Sequence, residues 1–409
     1  DFTDAFFRMP LHPDERSYFC AVFEGRILVW NRVAQGSKNG PQAWGRLSAL
    51  ITRLAQSVFE AGELDLATYT DDPIAAVLGN AAETNRLVTI LVLVWRCMGF
   101  ALAFRKGQLS EKVGWVGHEV EANTQQGTID VTIKQEFVAE VLKQTLEIKR
   151  KNKDGRRALR SYNGSVGHIA NLVWAMKPFM EQLWAACESS VANAARRGSV
   201  WKRQVHDALT WIAAFLREQH GPLVRQWQLS AYLSSSTDVV ITFDASPWGI
   251  GATAYFRGRP VEYIITHLTA SDAGRFGVAI GDNRGQQIWE CLAVLVCLRT
   301  WSKFWMSSRF TIGFRGDNIT SLTMTMKYKA SSPGVRTIAR EVAMELTMAP
   351  YPPVIYEHVP GIANQTADVL SRRFDPRKEQ DWVLPATLVN AVLVDTPVRD
   401  ATFYRFTAA

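Results

Sequence analysis

Two adjacent carboxylates interrupt an apolar stretch early in the chain. Leu64, Leu66, Thr68 and Tyr69 form a strand-like run, Asp71 and Asp72 follow, and Ile74, Ala76, Val77 and Leu78 resume the apolar pattern. Two such runs with an acidic break predict a β-hairpin carrying the carboxylates at its turn. Side chains alternate across a strand, so Asp71 and Asp72 are expected to point to opposite sides, one toward a groove and one bracing it. Paired Asp in a turn is more often only a solvated turn signal. The rest of the chain decides between these readings.

Asp1-Phe2-Thr3-Asp4-Ala5-Phe6-Phe7 reads as a strand able to bring a third carboxylate to the same groove. A Gly-rich turn from Arg32 to Pro41 then opens an amphipathic helix with Trp44, Leu47, Leu50, Ile51, Leu54 and Val58 on one face. At these residues the chain resembles the reverse transcriptases. Asp1-x-x-Asp-Ala-Phe-Phe resembles that family's first catalytic motif. Gln35-Gly36, leading through Lys38-Asn39-Gly40-Pro41 into a helix, resembles the second, with Ala34 where the family usually has Pro. Tyr69-Thr70-Asp71-Asp72 resembles the Tyr-x-Asp-Asp box, and Gly99-Phe100, Lys106 and Trp115-Val116-Gly117-His118 resemble the segments after it. Ordered motifs over about 120 residues are far more specific than any one alone.

The resemblance implies the palm of a right-hand polymerase over residues 1–121, with the fingers missing. It implies Asp1, Asp71 and Asp72 as the polymerase carboxylates, Asp72 in a supporting role. Gln35 and Gly36 line the nucleotide pocket, and Lys106 steadies or protonates the leaving group. Phe6 would lie under the incoming sugar, where a ring excludes a 2′-hydroxyl. The plainer alternative is a core Phe, because Phe6 and Phe7 are neighbours and one must face inward.

Composition fits a globular chain: 47% hydrophobic and 21% charged residues over 409 positions, enough for two to three domains. The net charge of +7 implies only a mild preference for polyanions. The longest apolar run, Leu87 to Met98, is broken by Thr89 and Arg96 and is too short to span a bilayer. No signal peptide is recognisable. Cys20, Cys97, Cys187, Cys291 and Cys297 are scattered and odd in number, which predicts reduced core residues of an intracellular protein and no zinc site.

Residues 122–236 read as helical, and from Tyr162 to Cys187 they loosely resemble a retroelement thumb or connection. The run from Lys149 to Arg160 holds seven basic residues and one acid. It reads equally as a solvated loop and as a track for template–primer phosphates. Arg196, Arg197, Lys202 and Arg203 form a second basic patch, and Trp201, Trp211 and Trp227 are expected in the core.

After Ser234-Ser235-Ser236 the pattern changes. Val239 to Asp244 reads as a buried strand ending in a carboxylate. Strands follow at Ile250 to Phe256 and Val261 to Ile265, then a helix from Gln286 to Ser302 carrying Glu290. A strand from Phe310 to Phe314 leads into Gly316-Asp317-Asn318, followed by a helix from Val335 to Met348, a strand from Val354 to His358 and a short helix carrying Asp368. Asp244-Ala245-Ser246 with Gly249 and Gly251, Glu290 with Ala293, Asp317, and His358-Val359-Pro360-Gly361 through Asn364 and Asp368 resemble retroelement RNase H. Ala367-Asp368-Val369-Leu370-Ser371-Arg372 is similar to retrotransposons in particular. The resemblance implies an RNase H-like α/β domain over 237–373, with Asp244, Glu290, Asp317 and Asp368 converging on one site. Carboxylates held together need cations, so the implied chemistry is two-metal hydrolysis. His358 fits proton transfer or product release, or simply a hydrogen-bonded structural role. Residues 374–409 show no domain pattern and read as a C-terminal linker.

The implied whole is an α+β and α/β multidomain chain: an RNA-directed DNA polymerase with RNase H activity from a retrotransposon polyprotein. Two Mg²⁺ or Mn²⁺ ions are expected per active site. The implied partners are an RNA template, a DNA primer, an RNA–DNA hybrid and dNTPs. Other polyprotein segments (integrase or recombinase, protease, capsid) are expected as well, no membrane, and an intracellular location in a cytoplasmic particle or the nucleus. Starting at Asp1 without Met, the chain is expected to be a piece of something longer. Lacking the fingers, which in this family lie mostly before the first catalytic Asp, it is expected to cleave hybrids but extend primers poorly or not at all. One alternative is a non-catalytic nucleic-acid-binding remnant, although a remnant has no reason to keep all these carboxylates. The other is an RNase H enzyme whose polymerase half only positions the hybrid.

Overall fold

The computed structural model describes residues 1–188, 198–228, 239–303, 312–327, 330, 332–348, 355–378 and 380–404. Arg196, Arg197, Ser234-Ser235-Ser236, Phe310 and Val354 lie outside the described residues. The protein is mixed α/β, with several separate sheets. It divides into two units, Asp1–Glu119 and Val120–Ala409.

In the first unit the expected hairpin is present. Strand Leu64–Tyr69 pairs antiparallel with Asp72–Val77, with Tyr69 opposite Asp72. The turn is therefore Thr70–Asp71, and Thr70 takes the left-handed conformation at φ +56°. Asp71 lies in the turn rather than on a strand, so strand alternation does not govern its direction. Two helices back the hairpin, Gly40–Gln56 and Ala81–Cys97. The second starts at a capping box, Asn80 with Glu83, which satisfies otherwise orphaned N–H groups of the first turn. The core gathers Phe2, Trp44, Ile51, Leu64, Leu87, Leu91 and Trp95. Leu50 and Leu54, expected on the buried face, are exposed, and Val58 is exposed beyond the helix end; the buried stripe runs instead through Trp44, Ser48, Ile51 and Ala55.

The opening segment is not the expected strand. Asp4 sits at φ +55°, a left-handed conformation no strand tolerates, and Phe6–Arg8 is a 3₁₀ turn. Only Phe2 makes a β-bridge, to Leu102.

In the second unit, helices Gln135–Arg150, Arg156–Leu172, Lys177–Glu188 and Lys202–Leu216 share one core with Leu159, Val166, Phe179 and Leu209. The basic run is not a loop. It ends the first of these helices, forms strand Lys153–Gly155 against Ser199–Trp201, and begins the second helix. Trp211 stacks on Phe179, and Trp227 packs against the same core.

The larger sheet of this unit has six strands. Val239–Ala245 pairs antiparallel with Gly249–Phe256, which pairs antiparallel with Arg259–His267. On its other side Val239–Ala245 pairs parallel with Ile312–Gly316, which in turn pairs parallel with Ile355–His358. Helix Gln286–Thr300 is apolar all round and buried from Ile288 to Leu298, as a helix wholly inside a core must be. Helix Pro333–Met348 packs into the same core. These helices are joined to the preceding ones: Arg340 of the second donates to Asp207 at 2.7 Å and to Gln182 at 3.0 Å.

Residues 380–404 are not a linker. Val392–Leu393 adds the sixth strand beside Arg259–His267, Leu388 packs on Tyr263 and Leu370, and Phe403 and Tyr404 enter the main core. The segment is short of regular structure and carries its apolar residues in short runs broken by Pro, Asn and Asp, which left no helical or strand periodicity to read. The cysteine expectation also needs correction. All five are free thiols, but Cys20 and Cys97 are exposed, and only Cys187, Cys291 and Cys297 are buried.

Candidate active site

Three carboxylates of the second unit converge. Ligating oxygens of Asp244, Glu290 and Asp317 all lie within 4.8 Å of one another, the one such metal-competent group among the described residues. Asp244 sits near the end of a strand whose buried Ile241, Phe243 and Ala245 fix its register. Asp317 follows Gly316, the last residue of the parallel neighbour strand, where a Cβ would strike the Phe243 ring at 2.7 Å. Glu290 projects from the buried helix. Its Oε1 accepts from Gln286 one turn earlier at 2.9 Å, and Gln286 also donates to the Ala245 carbonyl at 2.6 Å.

Asp368 approaches on the short helix Gln365–Ser371, which is held against the sheet by close backbone contact. Gly251 lies opposite Asp244 in the sheet, and any side chain there would collide with Leu370 Cβ and Ser371 N. Asn364 donates to the Phe243 carbonyl at 3.0 Å, and Ser371 Oγ donates to Asp244 Oδ2 at 2.6 Å. Asp368 itself stays outside the tight group and pairs with Arg372 at 2.6 Å. His358 is exposed at the rim, with Nε2 at 3.1 Å from the Asp317 carbonyl.

Burial is the main cause of the unusual electrostatics. It pushes the Asp244 carboxyl up to about 7, with Asp317 and Asp368 adding repulsion and the Ser371 hydrogen bond opposing it. Glu290 is raised well above the ordinary carboxylate range, first by burial and then by Asp244. Its Oε2 is buried with no hydrogen-bond partner. A buried carboxylate oxygen normally has a partner. A buried carboxylate with an orphaned oxygen, in a group of three clustered acids, fits a hard cation, so the donor set suits Mg²⁺ or Mn²⁺.

In the first unit, the carbonyls of the hairpin turn are all taken from outside the hairpin. Trp44 Nε1 donates to Thr70 O at 2.7 Å, the Phe2 amide to Asp71 O at 2.7 Å, and Trp115 Nε1 to Asp72 O at 3.0 Å. The backbone nitrogen of Asp1 lies 3.9 Å from Asp72 Oδ1. The Asp1 carboxylate forms an ion pair with Lys106. Asp1, Asp71 and Asp72 thus neighbour one another, but their oxygens do not gather as tightly as the other three acids do. Phe6 is half-buried, with its ring 6.3 Å from Trp44, while Gln35 and Gly36 are exposed. The bracing by Trp44 and Trp115 was not legible in the sequence, because their partners are main-chain carbonyls. Gln286 had a signal, its spacing one turn before Glu290 on a helix.

No family model matches the chain, and no curated protein matches it. Among solved structures, the chain is similar to that of the foamy viral protease-reverse transcriptase dRH in complex with double-stranded DNA. That likeness has a TM-score of 0.44 and 15% identity, over 88% of this chain and 56% of that one. For the foamy viral protease-reverse transcriptase with an RNA/DNA hybrid the values are 0.43 and 16%, over 87% and 43%. With double-stranded DNA they are 0.41 and 16%, over 88% and 66%. The chain therefore spans less than two thirds of each of these chains. Among the described residues, no helix is long and apolar enough to cross a membrane.

Proposed function

We propose that this chain hydrolyses the RNA strand of RNA–DNA hybrids at Asp244, Glu290, Asp317 and Asp368, and belongs to a retrotransposon polyprotein with RNA-directed DNA polymerase activity. One observation carries the reading: three buried or half-buried carboxylates within 4.8 Å, one with an oxygen lacking any partner. Repulsion among such groups is relieved only by protons or cations. Divalent ions, when bound, supply the charge that activates water and neutralises the leaving oxygen.

Asp244, Glu290 and Asp317 hold the first ion, with Asp368 completing the set. Gln286 fixes Glu290 by its hydrogen bond, leaving Oε2 for the ion. His358, exposed and beside the Asp317 carbonyl, would hand a proton to the leaving 3′ oxygen. The hybrid is recognised by its A-form backbone and 2′-hydroxyls.

The polymerase part of the proposal rests on the motif resemblance. Asp1, Asp71 and Asp72 serve as its carboxylates, Gln35 and Gly36 line the dNTP pocket, Phe6 excludes the 2′-hydroxyl, and Lys106 steadies the leaving group. The Lys106 ion pair and the looser grouping of these acids favour a second reading, a hydrolase whose first unit only grips the hybrid.

The test is cleavage of a 5′-labelled RNA in a hybrid, with Mg²⁺ or chelator, alongside primer extension with dNTPs. Glu290→Gln is expected to abolish cleavage and Asp71→Asn to abolish extension, each sparing the other activity. Hybrid that stays intact with Mg²⁺ present overturns the hydrolase assignment. Cleavage without extension supports the second reading only if a chain carrying the upstream residues also fails to extend the primer.

A further inference from the structure

Asp368 is the outlying member of the carboxylate set, and one neighbour accounts for its engagement. Arg372, a turn later at the C-terminal end of the same helix, donates through Nε to Asp368 Oδ1 at 2.6 Å, with Nη2 at the same distance from that oxygen. Both side chains remain 38% exposed, so the guanidinium is reachable from solvent. Its charge is also felt at Asp244, where it opposes the rise in pKa. Asp368 oxygens are absent from the tight group formed by Asp244, Glu290 and Asp317.

These facts describe a site that is open for one cation and guarded for the next. A first ion would be held among Asp244, Glu290 and Asp317, where Glu290 Oε2 has no hydrogen-bond partner. A second ion at Asp244 and Asp368 must compete with Arg372 for Asp368. A guanidinium fork suits a phosphodiester as well as a carboxylate, and a hybrid laid over these acids brings phosphates to this rim.

Resting on the hydrolase reading above, we infer that Arg372 is a positioning residue that couples substrate to the second ion. In the free protein it neutralises Asp368. When a backbone phosphate of the hybrid takes the guanidinium, Asp368 is released to complete the second cation site. Substrate therefore assembles the site that cuts it, and the free protein does not carry two ions.

The test is Mn²⁺ titration by calorimetry on the full chain, with and without uncleavable hybrid bearing 2′-O-methyl RNA. In the wild type the second ion is expected to bind weakly alone and more tightly with hybrid. Arg372→Ala should strengthen the second step in the free protein, roughly fivefold for the loss of a half-exposed ion pair. It should also lower the salt slope of hybrid binding by about one. Arg372→Lys, which keeps the charge but loses the fork, should fall between the two. A free-protein isotherm for Arg372→Ala that superimposes on the wild type overturns the inference, as does an unchanged salt slope. Because the cation steps are read without turnover, an inactive wild type would sink the hydrolase reading while leaving the Arg372 result to stand or fall separately.

Discussion

Ser371 Oγ donates a 2.6 Å hydrogen bond to Oδ2 of Asp244, across 127 positions of sequence. The Ser371 carbonyl in turn accepts from Ser246 Oγ at 2.7 Å. The end of one helix is thereby tied to the end of the central strand at the carboxylate site. The hydrogen bond also stabilises the charged form of a buried acid, in opposition to desolvation.

Ser371→Ala should raise the Asp244 pKa further. Cation binding needs the deprotonated carboxylate, so the Mn²⁺ affinity profile should move to higher pH. Loss of one buried partner should cost about 1–3 kcal/mol of stability. Titrating Mn²⁺ at pH 6, 7 and 8 checks the first point and urea unfolding the second. A profile superimposable on the wild type would mean that Ser371 does not tune Asp244.

The raised carboxyl also predicts how stability depends on pH. Asp244 is pushed up to about 7 in the folded protein, against about 4 for an ordinary Asp. Between these values the folded state holds a proton that the unfolded chain has released. The contribution of Asp244 to stability is therefore fully present below about pH 4 and is lost as pH rises to about 7. Thermal melts in chelator should show this loss between about pH 4 and 7, and Mg²⁺ should reverse it by binding the charged form. Asp244→Asn should flatten this part of the profile. Equal sensitivity to Mg²⁺ in the variant and the wild type would contradict the assignment.

The sheet strands and the buried helix were legible because their signals are local. Val239 to Asp244 is an apolar run closed by an acid, and Gln286 to Ser302 is too long and apolar for anything but a core helix. The hairpin was legible for the same reason, although its turn is Thr70–Asp71 and Asp72 already belongs to the second strand. The opening segment was not, because the left-handed Asp4 ends the strand after Phe2 and no residue type announces it. Nor was the docking of residues 380–404, whose anchors Leu388, Arg399, Phe403 and Tyr404 follow no period and are meaningful only against distant partners. Within the site the acids could be named from their motifs. Their supports at Gln286 and Ser371, and the guard at Arg372, become visible only as contacts in space.

Gly251→Ala should damage the site without touching an acid. The added methyl collides with Leu370 Cβ and the Ser371 amide, and neither the helix backbone nor the sheet can yield cheaply. Overpacking of this kind costs about 1–3 kcal/mol. The helix carrying Asp368 should be displaced, so hybrid cleavage should fall more than stability alone explains. Cleavage rates compared with urea midpoints separate the two effects. A folded variant with wild-type cleavage would show that the Asp368 helix tolerates movement.

The last prediction concerns the tail. Arg399 donates through Nε to Asp272 Oδ2 at 2.9 Å, and both side chains are essentially buried, at 2% and 0% exposure. Arg399 also donates to Thr266 Oγ1 and to the His267 carbonyl, while the Tyr404 hydroxyl donates to Asp272 Oδ1 at 3.3 Å. Asp272 meanwhile caps the helix Ala270–Phe276, accepting from the Thr269 amide at 2.8 Å. Arg399→Met keeps the length of the side chain but strands the carboxylate of Asp272 in the interior. Breaking one side of a buried ion pair typically costs about 3–5 kcal/mol, because the remaining charge has lost its compensation. Asp272→Asn combined with Arg399→Met removes both charges, and the pair should be less destabilised than the sum of the single changes. Urea unfolding of the four proteins in a double-mutant cycle measures that coupling. A linker would give a different result: Arg399→Met would leave the unfolding midpoint where it was, and the coupling energy would be zero.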